Sequence, residues 1–473
     1  MFASDLDEAK ILVMREEYST AIPKLAGFLN GDFYNDDALF MLGHCFAAQG
    51  MNGLSAVVTT AAIQARKQKT GKEFPEALMN LGCVYRSEFR NDMAEKFWLE
   101  ALKHEALPRA RSGLLGNLSA LFLQEGQPER AVSYADKALA EDPSNAKARA
   151  NRGIACLEMG RWVEGWEGWK YTHVTGDRPK RTYAGIPDWD GTPGQTVIVY
   201  GDQGIGDEIF FASALADMQR VCRKVILDCH PRLPELFTRS FPEIEVHGTR
   251  KDLTELPWFD GCGADAAVAL SDLFSYFRLR DENWPGTPYL KADGYGLAVA
   301  RQSVASIAEP NGSDRSLRIG ISWTGGTKAT RQHLRSIPIS QLEPILRARP
   351  DAQWFSLQYT DDAARQVCAM EERTGIRIAH FPSWVEHYEY DRTASFVASL
   401  DLVISVPTTV HHLAGALGVP NWLLAQSRPD WRCQVKGKTL PWYNSTKVYR
   451  QEADGDWFGP LAWVAEDLKA FRC

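Results

Sequence analysis

Small residues recur through the first third of the chain at nearly constant intervals: Ala9, Gly43, Gly82, Ser119 and Gly153, separated by 34, 39, 37 and 34 positions. Large apolar residues flank them at helical spacing, with Leu39, Leu42 and Phe46 around Gly43, Leu78, Leu81 and Tyr85 around Gly82, and Leu115, Leu118 and Phe122 around Ser119. Twelve positions after each small residue comes a second one, Ala21, Ser55, Ala94, Ala131 and Gly165. Seven further on, Ala62, Ala101 and Ala138 fill the next close-packing position, and Pro143 closes one unit. These are helical stripes repeated in tandem. Each unit buries its apolar face only against its neighbours, so the segment must stack into a solenoid.

The pattern resembles the tetratricopeptide repeat, most closely from Gly82 to Ala101 and from Ser119 to Pro143. About five units, residues 1–176, exceed the roughly three needed for a stable stack. The resemblance implies a protein partner held by the repeats, which carry no chemistry of their own. The fifth unit departs from the pattern at GRWVEGWEGWKY, where Trp162, Trp166 and Trp169 share one helical face. These indoles read as a bulky end cap that packs on the next domain, with a carbohydrate-stacking platform as the alternative.

After a Pro- and Gly-rich linker, residues 177–195, the grammar changes to short β-branched runs. TVIVY (196–200) is a strand, GDQGIGD a glycine loop and EIFFASALADMQRV a helix; VILDC, IEVHG and AAVAL supply further strands. The polar stretch EPNGSDRS then ends at Ser316 and the alternation restarts. LRIGISW (317–323), WFSLQY (354–359), DLVISV (401–406) and NWLLA (421–425) are strands, and TTVHHLAGALG is a helix stopped by Gly418 and Pro420. Strands alternating with helices imply parallel sheets, with a ligand in the crevice at their carboxyl ends.

Composition narrows the class. With 53 Lys+Arg against 60 Asp+Glu, a formal charge of -7, the chain as a whole lacks the basic field of a general nucleic-acid or anionic-membrane binder. The charged opening is unlike a secretory signal, no run reaches the ~18 apolar residues of a membrane helix, and nine scattered cysteines fit reduced thiols. A cytoplasmic protein is expected.

GIGDEIFFASAL, GISWTGG followed by RSIP, and DLVISVPTTVHHLAGALGVPNWLL together resemble the heptosyltransferase-like glycosyltransferases (family 9) of the GT-B fold. The order of repeats followed by such a module is similar to that of O-linked N-acetylglucosamine transferase. The resemblance implies an α + α/β chain: a repeat solenoid, then two Rossmann-like lobes over residues 196–309 (acceptor side) and 317–459 (nucleotide-sugar side), with a C-terminal helix over 460–473. It implies inverting, metal-independent glycosyl transfer with no cofactor beyond the nucleotide-sugar donor.

The resemblance assigns the catalytic base to Asp207, which as an acidic residue at a helix start also suits an N-cap. Asp202, Gly204 and Gly206 share its loop on the acceptor side, and Glu208 reads as a first-turn dipole partner. The loop 325–335 carries Lys328, Arg331, His333 and Arg335 with no acidic residue, a composition suited to a diphosphate. Arg335 matches the family's phosphate-contacting position. Thr408 and Thr409 precede a helix whose N–H groups form an anion site, and Thr408 and His412 match the family's D-T-x-x-A-H-L-A pattern. The family's Asp is Pro407 here and its small position is His411. Tandem His411 and His412 cannot both face one side, so one is expected at the cleft. Gln358 and Tyr359 are assigned to the nucleotide base or ribose. DWDG (188–191) is a turn around Trp189 rather than a metal signature, and DQGIGD is not a P-loop.

The expectation is a glycosyltransferase acting on a protein or glycan acceptor. A non-catalytic repeat adaptor with a degenerate α/β module is the competing class, favoured by Pro407, and an epimerase on the same fold is a third.

Overall fold

The computed structural model describes residues 2–250, 256–307, 316–326, 332–385 and 389–472, with side chains from Leu6 onward. The chain divides into two compact units, Met1–Ala155 and Cys156–Cys473.

The first unit is all helical. Phe2–Met14 packs on Tyr18–Leu29, Asp36–Ala48 on Asn52–Thr70, Pro75–Ser87 on Asn91–His104, and Pro108–Gln124 on Pro128–Glu141. The twelve-residue offset is where each pair crosses: Ser55 Oγ donates to the Gly43 carbonyl at 2.7 Å, and Ser119 Oγ donates to the Ala131 carbonyl at 2.9 Å. A methyl group on Gly43 would collide with Thr59, and one on Gly82 with the Trp98 indole. Smallness at these positions is therefore a packing requirement.

The second unit holds two sheets. The first contains β1 (Thr196–Tyr200), β2 (Lys224–Asp228), β3 (Glu245–His247) and β4 (Ala266–Ala269), all parallel, in the order β3-β2-β1-β4. The second contains β5 (Arg318–Ser322), β6 (Gln353–Ser356), β7 (Ile378–His380), β8 (Leu402–Ser405), β9 (Asn421–Ala425), β10 (Thr439–Leu440) and β11 (Tyr443–Arg450). Its order is β10-β11-β9-β8-β5-β6-β7, parallel except for the β10–β11 hairpin. Strand order reverses beside β1 in one sheet and beside β5 in the other, the points where open parallel sheets leave a crevice.

The two compact units divide at Ala155, inside the helix Ala146–Glu158, and Trp162, Trp166 and Trp169 bury within the second unit: Trp166 Nε1 donates to the Arg278 carbonyl at 2.7 Å and its ring lies 5.5 Å from that of Trp431. Several expectations are corrected. Buried at 2–4% exposure, the three indoles offer no open stacking platform. The helix after β1 is broken into Ile205–Phe211, a short 3-10 turn and Leu215–Val221. β6 stops at Ser356, which puts Gln358 and Tyr359 in the following loop. β7, β10 and β11 were not expected, and the C-terminal helix is Phe458–Ala470. No helix among the described residues is long and apolar enough to cross a membrane.

Candidate functional site

Loops from both sheets meet in a cavity of about 460 Å³. The loop after β1 contributes Gln203, Gly204, Gly206 and Asp207; the loops after β5, β6, β8 and β9 contribute Gly326 and Arg335, Tyr359, Thr408 and Thr409, and Asp430 and Arg432. An adjoining cavity of about 450 Å³ shares Ile205, Tyr359 and Thr409 and adds Arg232, Asp361 and Tyr390. Elsewhere Arg239 donates to Asp391 with both terminal nitrogens, one at 3.1 Å, and Tyr289 donates from its hydroxyl to the Ile209 carbonyl at 2.8 Å and from its N–H to the Ala416 carbonyl at 3.0 Å, which ties elements beside the two sheets together.

Asp207 occupies the third position of its helix, where its Oδ2 accepts from the Gly204 N–H at 3.2 Å. The N-cap is therefore Gly204 and not Asp207 as expected, and Asp207 makes only the half of a capping box that runs from the N-cap N–H to the third-position carboxylate, since glycine has no side chain to complete the other half. The other Asp207 oxygen lies 3.0 Å from Nε of Arg432. Gly206 lets the helix start approach Thr409, since a methyl group there would sit 3.1 Å from the Thr409 Cα.

Arg432 also donates to Asp430 at 2.8 Å and to Gln203 Oε1 at 2.8 Å. Burial opposes its charge, but Asp430 and Asp207 outweigh this and raise its pKa further. Burial likewise works against the Asp430 carboxylate, yet Arg432 holds its pKa below the ordinary value. Arg335 donates to the Pro407 carbonyl at 3.0 Å. Its Nε, and Nε2 of Gln203, are buried without a hydrogen-bond partner. The helix Thr409–Leu417 opens onto the cavity with Thr408 as its N-cap, and the Thr408 side chain makes no capping bond. The free N–H groups of that first turn suit an anion.

His412 lines the cavity, whereas His411 faces the sheet, with Nδ1 2.6 Å from Nδ2 of Asn421. Burial lowers the pKa of both: His411 falls to about 4, and His412 is held well below the ordinary value with help from His411, Arg432 and Arg335.

Three assigned residues do not reach the cavity. Asp202 is buried, accepting from Arg178 at 2.9 Å and from the Ser271 hydroxyl at 2.6 Å, and it anchors the linker rather than an acceptor. Gln358 is fully buried; its Oε1 accepts from the Trp323 and Thr324 N–H groups at 3.2 and 3.0 Å and so shapes the loop after β5. His411 is the third, as its helical position one residue before His412 turns it away. Glu208 also points inward, against Arg250 and the His230 N–H, and burial pushes its carboxyl up to about 8 despite Arg250. Lys328 and Arg331 lie outside the described residues, and His333 is exposed and lines neither cavity.

Arg432, Asp430 and Gln203 were not anticipated. The signal available was position alone, because RPDWRC follows β9 as the other site segments follow their strands. In DWDG, Asp188 pairs with Lys180 and Asp190 accepts from the Thr192 N–H at 2.9 Å, a turn around Trp189. Among the described residues no group of three or more His, Cys, Asp or Glu side chains could hold a metal ion. The arrangement offers a carboxylate able to accept a proton beside guanidinium and N–H groups able to hold an anion.

A tetratricopeptide-repeat family model matches residues 122–165. Protein FlbA of Caulobacter vibrioides is 25% identical to this chain over 450 residues, covering 84% of this chain and 73% of FlbA. Among solved structures, MamA is 15% identical with a TM-score of 0.31, covering 37% of this chain and 92% of its own. PilF of Pseudomonas aeruginosa is 16% identical with a TM-score of 0.35, covering 46% and 85%. The N-terminal region carries tetratricopeptide repeats, a class that engages other proteins, and a separate α/β region follows.

Proposed function

We propose that the second unit is a GT-B glycosyltransferase of the heptosyltransferase kind, moving a sugar from a nucleotide-sugar donor to an acceptor that the repeats recruit. The observation that carries this reading is the meeting of Asp207, Arg335, Arg432 and the Thr409–Leu417 helix start in one cavity at the strand ends. Asp207 takes the proton from the acceptor hydroxyl as it attacks the anomeric carbon. Arg335 and the N–H groups of the Thr409 turn neutralise the departing diphosphate, where fixed donors count for most. Tyr359 borders the nucleoside from the adjoining cavity. Pro407 stands where the family has an aspartate and brings no side-chain carboxylate to the cavity, so selection of the sugar differs from the family's.

Thermal-shift screening of the full chain against UDP, GDP, ADP and CMP, followed by hydrolysis of the matching nucleotide sugar, tests the reading. One nucleotide should raise Tm, and Asp207→Asn should cut turnover about 10²-fold or more with nucleotide affinity within about twofold. Unchanged turnover in the folded variant removes Asp207 as base. The second reading, a repeat adaptor without turnover, is favoured by the pairing of Asp207 with Arg432 and by Pro407; absence of any nucleotide binding would support it.

A further inference from the structure

The loop that carries the candidate base is gripped at both ends by guanidinium groups, and both rest on one indole. At its start, Asp202 accepts from Arg178 at 2.9 Å, and the Arg178 guanidinium lies 4.4 Å from the centre of the Trp169 ring. At its end, Asp207 lies 3.0 Å from Arg432, whose guanidinium is 5.8 Å from the same ring and 4.8 Å from that of Trp431. The backbone closes the frame, since the Trp169 carbonyl accepts from Arg178 at 3.1 Å. Trp169 is 4% exposed, and its Nε1 is buried with no hydrogen-bond partner. A buried indole that forgoes its own hydrogen bond is costly, whereas its face attracts cations more strongly than any other side chain.

Three other groupings carry less. The cavity beside β4 lined by Lys180, Asp188, His173 and Asp272 has those charges already paired with one another. The groove beside Phe458 has nothing to say what covers it. The buried Glu208–Arg250 pair stands apart from both cavities.

We infer that Trp169 is a positioning residue for the site: it fixes Arg178 and Arg432, and through them the loop 202–207 and the carboxylate of Asp207. This rests on the glycosyl-transfer reading for its kinetic consequence, though not for its structural one. In Trp169→Leu, kcat for nucleotide-sugar hydrolysis should fall about tenfold or more while the Kd for the nucleoside diphosphate changes less than about twofold, because a displacement near 1 Å at a reacting group can cost as much as 10²-fold. Trp169→Phe, which keeps an aromatic face, should recover at least half of the lost rate. A folded Trp169→Leu protein with wild-type kcat overturns the inference. So does a parallel loss of rate, affinity and Tm, which is what a purely structural role would produce. If the wild-type chain turns over no donor, the glycosyl-transfer reading fails, and the crystal structure of Trp169→Leu still decides this point. Displacement of the loop by more than about 1 Å with separation of Asp207 from Arg432 supports the inference, and an unmoved loop with the pair intact overturns it.

Discussion

Beyond β1 and β2, the four-stranded sheet closes its strand-end charges on one another. Asp202 meets Arg178, Asp228 meets Arg181 at 2.9 Å and the Tyr183 hydroxyl at 2.7 Å, and Glu208 meets Arg250. Beyond β5, β6 and β8, the seven-stranded sheet leaves polar groups open at the cavity: Nε of Arg335 lacks a partner, and Tyr359 is half exposed. A closed network fixes a loop and its cost of burial is met only while every member is present, whereas open donors cost stability and keep capacity for a ligand. The first sheet thus holds its carboxylates in closed pairs, and under the glycosyl-transfer proposal the donors beyond the second are the ones that take the anion.

The most severe way to break the contrast is Arg178→Met. It strips the counter-charge from the buried Asp202 and one of the two partners of the half-buried Asp272, and should lower unfolding free energy by roughly 3–5 kcal/mol. Guanidinium denaturation followed by tryptophan fluorescence reads this cleanly, because of the 15 tryptophans only Trp98 lies in the first unit. A loss under about 1 kcal/mol, as for an exposed pair, would show that the network does not hold the loop.

A pH series sharpens the other side. His411 has an ordinary value of 6.5 and a folded value of about 4. Between those pH values the unfolded chain binds a proton that the folded chain refuses, so stability is present above about 6.5 and is lost as pH falls towards 4. The loss from His411 alone should reach about 3 kcal/mol, and His412 adds in the same direction. His411→Gln should flatten the profile across this window; an unaltered slope would mean that His411 is protonated in the folded protein.

The same two regions show what sequence can and cannot convey. β1 and β9 fall where their β-branched and apolar runs lie, and Asp207, Arg335, Tyr359, Thr408, Thr409 and His412 converge because each follows a strand at the carboxyl edge. That rule locates a residue but not the direction of its side chain. Asp202 satisfies it and yet turns inward, because its partner Arg178 lies in the linker, 24 positions earlier. His411 and His412 differ by one step of about 100° around a helix, and only the packing of Asn421 and Tyr443 decides which one faces the cavity. Arg432 meets Gln203 across 229 positions, a pairing created by how two sheets align and invisible in local pattern. The Trp162–Trp169 helix joined the repeats by periodicity, and its indoles, read as a cap that packs on the next domain, bury against Phe274 and Trp431, partners that local pattern does not name.

The gentlest test is Arg335→Ala. The side chain makes one described hydrogen bond, to the Pro407 carbonyl, and its removal leaves that oxygen beside a cavity that water can enter. Stability should therefore change by less than about 1 kcal/mol. Under the glycosyl-transfer proposal, nucleoside diphosphate binding should lose a charge-assisted contact, with the Kd measured by calorimetry rising about tenfold, equivalent to about 1.4 kcal/mol. Opposite responses in the two sheets, stability lost at Arg178 and affinity lost at Arg335, would separate fixing from receiving. Equal affinity in Arg335→Ala would take this residue out of the anion site and leave the Thr409 turn to hold the diphosphate alone.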